Sequence, residues 1–94
     1  MKKDFTLEIL ADNNFSILNR IINVLNRRRI RIRKLSAMET EDDISRGVAI
    51  FIIYSTSDMM EKVKGQLEKL IEVEKAVYHP GSEVFYELAG KYKY

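Results

Sequence analysis

Phe5, Leu7 and Ile9 alternate with Thr6 and Glu8, the period-two pattern of a half-buried strand. Asp12-Asn13-Asn14 breaks it with turn and capping residues. Ile17, Leu18, Ile21, Ile22 and Leu25 then recur at helical spacing, with Asn19, Arg20, Asn23 and Asn26 on the other face. This predicts an amphipathic helix of about three turns. Asparagine is a mediocre helix former, so packing must hold this helix more than propensity does. Alternation returns in Ile30-Arg31-Ile32-Arg33 and runs through Leu35 to Met38 as a second strand, followed by a polar, acidic connection from Glu39 to Asp43. Val48 to Tyr54 is a seven-residue run that is β-branched or aromatic except at Ala49, the strongest strand signal in the chain. Ser57-Asp58 supplies an N-cap for a second helix carrying Met60, Val63, Leu67, Leu70 and Ile71. Val73 to His79 reads as the last strand, stopped by Pro80-Gly81.

The order β-α-β-β-α-β, with right-handed crossovers, predicts an α+β ferredoxin-like sandwich. Its antiparallel four-stranded sheet has the order 4-1-3-2, with two helices on one face. Residues 1–80 make up that domain and 81–94 a C-terminal extension. In the extension Ser82 caps a short helix with Val84, Phe85 and Leu88, ended by Gly90. The third strand is apolar on both sides: Val48, Ile50 and Ile52 point one way, Ala49, Phe51 and Ile53 the other. Two helices cover one face only. The second face therefore needs the C-terminal segment or another chain.

At 94 residues there is room for one domain. A content of 46% hydrophobic and 32% charged residues is too apolar for a disordered chain. A domain this short is marginal alone and gains from a partner. There is no cysteine, which fits a reducing compartment. Thr6 and Glu8 interrupt the apolar run behind Met-Lys-Lys-Asp, against a secretory leader, and no stretch approaches a membrane span. A cytoplasmic location without membrane association is expected.

Chemistry is sparse. His79 is the single histidine, so neither a Ser-His-acid set nor a metal-ligand cluster assembles, and no catalytic residue, metal or cofactor is expected. Glu39, Glu41, Asp42 and Asp43 read as a solvated connection. Glu61, Glu68 and Glu72, spaced with Lys62, Lys64 and Lys69, read as a solvated helix face. Arg27, Arg28, Arg29, Arg31, Arg33 and Lys34 put six cations into eight positions, enough to attract a phosphate backbone. RNA-recognition domains share this element order, but they stack bases on aromatic residues of the third strand. Arg46-Gly47-Val48-Ala49-Ile50-Phe51-Ile52-Ile53 has aliphatics there, and the first strand offers Thr6, so nucleic acid is the weaker alternative. Alternating arginines instead suit a protected edge strand. In a two-fold homodimer, Arg31 and Arg33 would meet the acid of the Glu39–Asp43 connection.

The ligand-site candidate is the first loop. Asn13 and Asn14 precede a helix whose first N–H groups lack partners and favour an anion. Ile17, with Ile32 from a nearby strand, would hold a branched apolar side chain. The alternative is that the asparagines only cap the helix and Ile17 is core.

Ile9 to Ile21, with its Asn13, Ser16 and Leu18-Asn19-Arg20-Ile21, resembles the first loop and helix of ACT domains. Arg28, Ile32, Leu35, Ser45-Arg46 and Gln66-Leu67-Glu68-Lys69-Leu70-Ile71-Glu72-Val73 look like the matching stretches of the small, regulatory subunits of acetohydroxyacid (acetolactate) synthase. The resemblance spans about residues 5 to 79. It implies a non-catalytic regulatory subunit that activates a thiamine-diphosphate-dependent catalytic large subunit in branched-chain amino-acid biosynthesis. Effectors of that family lie between paired domains. Carried over, Asn13, Ser16 and Ile17 would face a branched-chain amino acid from one chain, and Arg31 and Ile32 from the other. Ser16 and Arg29 stand where that family commonly has glycine, and Arg31 where it commonly has asparagine. The second domain of longer members is not seen in these residues. A free-standing ACT amino-acid sensor is the alternative.

Overall fold

The opening alternation becomes β1 (Lys3–Asp12), and the helical pattern after it α1 (Phe15–Arg27). Then follow β2 (Arg31–Glu39), β3 (Arg46–Ser55), α2 (Ser57–Glu68), β4 (Val73–Pro80) and α3 (Glu83–Lys91). This architecture comes from a computed structural model that describes residues 1–13, 15–40 and 44–91. The strands form one antiparallel sheet in the order β2-β3-β1-β4, the ferredoxin-like arrangement expected.

Strand parity sorts the side chains into two layers. Phe5, Leu7 and Ile9 of β1 and Ala49, Phe51 and Ile53 of β3 face α1 and α2. They are buried against Ile17, Ile21 and Leu25 of α1 and Met60, Val63 and Leu67 of α2. On the reverse face Val48, Ile50 and Ile52 are buried by Phe85 of α3, with Leu10, Met38, Leu88 and Ala89 packed around them. Of the two covers open for that face, the chain's own C-terminal segment is the one present over β3. Leu10 and Met38 join this cluster because each stands opposite Val48 in the pairing with β3 and so shares its face.

Local chemistry sets the boundaries. Thr56, not Ser57 or Asp58, caps α2: its extended backbone (φ −108°, ψ 160°) lets its hydroxyl accept from the Met59 N–H at 3.2 Å. The helix ends at Glu68, where the Lys69 N–H turns back to the carbonyls of Gln66 and Leu67. Ile71, expected on the buried face of this helix, lies beyond it and is 97% exposed. Gly90 likewise does not end α3, which runs to Lys91. Helix α1 closes with paired bonds: the Arg29 N–H reaches the Asn26 carbonyl at 2.9 Å, and the Ile30 N–H the Leu25 carbonyl at 3.0 Å. That is a Schellman stop, and it puts Arg29 in the left-handed region (φ 56°). Arg28 then ties α1 to α2, donating to Gln66 Oε1 at 2.9 Å and lying 3.8 Å from Met59 Sδ.

Among the described residues, no helix is long and apolar enough to cross a membrane.

Candidate functional site

β2 is an edge strand, and α1 does not cover all of it: Leu35 is 40% exposed and Ala37 is exposed on the helix side. The gap between α1 and the β2–β3 pair is a cleft of about 680 Å³. Its floor is apolar, from Ile9, Ala11, Ile17, Ile21 and Ala49, and its rim carries Asp12, Asn13, Asn19 and Glu39.

Asn13 organises the rim. Its Nδ2 donates to Glu39 Oε2 at 3.0 Å and to the Ile44 carbonyl at 2.8 Å, and its main-chain N–H donates to the Ser45 carbonyl at 2.8 Å. These bonds tie the β1–α1 loop to the ends of β2 and β3. Gly47 opposite leaves room: a Cβ there would stand 3.4 Å from Asn13 Oδ1. Glu39, expected in a solvated connection, is instead the last residue of β2 and a partner of Asn13. Of that connection, residues 41–43 lie outside the described residues, as does Asn14.

The other expected site residues divide. Ile17 lines the cleft and also belongs to the core, only 4% exposed. Ser16 sits exposed in the first turn of α1 and does not line it. Arg31 and Ile32 open β2, whereas Glu39 closes it, so along an extended strand they stand roughly 25 Å from the Asn13 rim. Within one chain they do not join Asn13. Asp12, Asn19, Gly47 and Ala49 line the cleft without having been singled out. The break after Ala11 was visible as a turn, but which strand ends would flank it depends on sheet order.

Surface charge is partly committed. Arg33 pairs with Asp4 at 3.1 Å, Arg46 pairs with Glu74, and Arg20 pairs with Glu72, so Glu72 is not simply a member of a solvated helix face. Lys34 donates to the Tyr86 hydroxyl at 2.8 Å and lies 4.9 Å from that ring's centre. Among the described residues, Arg27, Arg29 and Arg31 make no ion pair. The strand face on which an RNA-recognition domain stacks bases holds Val48, Ile50 and Ile52 under Phe85. Among the described residues no group of three or more histidine, cysteine, aspartate or glutamate side chains is placed to hold a metal ion.

The sequence model of the ACT domain matches residues 13–76. No curated protein matches the chain. The fold is similar to the ACT domain of GTP pyrophosphokinase from Chlorobium tepidum, with a TM-score of 0.71 and 14% identity over 84% of this chain and 100% of that one. It is also similar to the acetolactate synthase small subunit of Thermotoga maritima, with a TM-score of 0.71 and 20% identity over 81% of this chain and 47% of that one. A homoserine dehydrogenase of Thiobacillus denitrificans contains a similar unit, with a TM-score of 0.69 and 15% identity over 85% of this chain and 17% of that one.

Proposed function

Because the chain belongs to the ACT domain family, a family of regulatory modules, we propose that it is the regulatory subunit of an acetohydroxyacid synthase. On this reading it is a homodimer that binds a branched-chain amino acid and activates the catalytic large subunit. The observation that carries the reading is the cleft of about 680 Å³ at the start of α1, lined in part by Ala37, Met38 and Glu39 of the edge strand β2. Its apolar floor suits an aliphatic side chain, and its polar rim suits the head of an amino acid. Antiparallel pairing of β2 with its two-fold mate would bring Arg31 of one protomer toward Glu39 of the other. That would complete the grouping of Asn13, Ser16 and Ile17 with Arg31 and Ile32, which one chain leaves apart. Burial of Leu35 and the β2 edge would follow from the same contact.

The test is copurification with the large synthase subunit and assay of its activity with and without this chain. The expected result is a stable complex with raised activity that responds to valine, leucine or isoleucine. A synthase indifferent to the chain overturns the subunit assignment. The second reading, a free-standing amino-acid sensor, draws on the match between 84% of this chain and the whole of the Chlorobium domain. It predicts amino-acid binding by the isolated homodimer together with that indifference.

A further inference from the structure

We infer that the sheet face beneath α3 is a docking site for a short amphipathic helix of another protein, occupied in this chain by α3 as a detachable stand-in. The site lies on the side of the sheet away from α1 and α2 and does not depend on the effector reading. Phe85, Leu88 and Ala89 stand at i, i+3 and i+4 of α3 and pack with Val48, Ile50 and Ile52 of β3. The seat therefore shows the chemistry of its occupant: a helix with an aromatic anchor, then a leucine and a small residue one turn later. Beside the anchor, Lys34 donates to the Tyr86 hydroxyl at 2.8 Å, so an acceptor one position after the aromatic residue fits as well.

Several features let α3 leave while the sandwich stays folded. A helix of nine residues is too short to be stable by itself, so packing holds it in place. Among its described side chains only Phe85 is buried. The core beneath α1 and α2 contains no residue of α3, so that layer is unchanged by its departure. Gly81 supplies the joint, at φ 85° and with no side chain to hinder rotation. The matched ACT unit, residues 13–76, ends before α3 begins. Once α3 swings away, Val48, Ile50 and Ile52 form an apolar strip that a second helix can cover. As a tethered occupant, α3 competes at an effective concentration of about millimolar. A partner helix offering only the same contacts loses to it, and one with further contacts displaces it.

Fluorescence anisotropy with a labelled peptide of residues 81–94 tests this on the full chain. Wild type is expected to bind the peptide with a Kd of about millimolar, because α3 holds the seat. Phe85→Ala removes the tethered anchor and is expected to bind it at least about tenfold more tightly. Thr6→Val removes the hydroxyl bonded to the Gly81 carbonyl but keeps Phe85, and a gain of about fivefold is expected. A peptide carrying the Phe85→Ala change should lose these gains. In the wild-type chain, amides of residues 87–91 should exchange at least about tenfold faster than those of β3, with a weaker dependence on urea. Peptide binding that is equal, or absent, across wild type and both variants overturns the inference, as does α3 exchanging in step with β3. A Phe85→Ala chain without a cooperative urea transition overturns it too, since the sandwich would then need α3 to stand.

Discussion

The Thr6 hydroxyl donates to the Gly81 carbonyl at 2.8 Å, while the Gly81 N–H donates to the Asp4 carbonyl at 2.8 Å. Gly81, in the left-handed region at φ 85°, is thereby fastened to β1 from both sides just before α3 begins. Thr6 is fully buried, so its hydroxyl needs this partner. Thr6→Val keeps the shape and removes the donor. We expect a loss of about 1–2 kcal/mol, read by urea denaturation, together with faster amide exchange across α3. Thr6→Ser retains the hydroxyl and should retain the α3 protection.

Phe85 is the side chain of α3 buried against β3. Phe85→Ala would uncover Val48, Ile50 and Ile52, and we expect destabilisation of about 3–5 kcal/mol, with a gain in binding of a hydrophobic dye. Tyr86 next to it reaches Lys34 from an exposed position. Tyr86→Phe should therefore cost under about 1 kcal/mol. Equal losses from the two variants would mean that α3 is held by its polar contact rather than by the apolar one.

The strands and their order were readable because parity and a β-branched run translate directly into faces of a sheet. The cover on the reverse face was not, since a two-faced strand states a need without naming what meets it; Phe85 answers that need only in three dimensions. Ile71 misled for a related reason. Spacings of three and four continue through Leu67, Leu70 and Ile71 although the helix has already stopped at Glu68. The cap expected at Ser57-Asp58 falls instead on Thr56, the residue between the end of β3 at Ser55 and the start of α2 at Ser57. At the cleft, Asn13 and Ile17 were legible from the loop–helix junction. The role of Glu39 was not, because it depends on β2 ending beside the β1–α1 loop.

The Tyr78 hydroxyl donates to Glu61 of α2, while its ring packs edge-on to Phe5 with centroids 5.8 Å apart. The hydrogen bond to Glu61 raises the phenol above its ordinary value of 10.0, with desolvation and the charge of Glu61 acting in the same direction. A raised value in the folded state means that the unfolded chain loses its proton first. The stabilisation is complete below pH 10 and is lost as pH rises through the higher folded value. Wild-type stability should thus fall more steeply above about pH 10 than that of Tyr78→Phe in denaturant titrations. Parallel alkaline slopes would dismiss the Glu61 contact as a source of pH dependence.

Arg29 bears on stability through its backbone. It occupies the left-handed position of the Schellman stop, with Leu25 and Ile30, the residues joined across the turn, both buried in the core. A side chain in that conformation costs about 1–2 kcal/mol, whereas glycine adopts it freely and loses about 0.5–1 kcal/mol of that gain through its more flexible unfolded state. Arg29→Gly is therefore expected to stabilise the domain by up to about 1 kcal/mol, a rise in melting temperature of roughly 4–8 °C per kcal/mol at this size. The exposed guanidinium makes no ion pair among the described residues, so little is forfeited with it. Arg29→Ala separates the causes: it removes the same charge but keeps a Cβ at φ 56°, and it should leave the melting temperature near wild type. A gain shared equally by alanine and glycine would assign the effect to relief of repulsion within the arginine run, not to the turn.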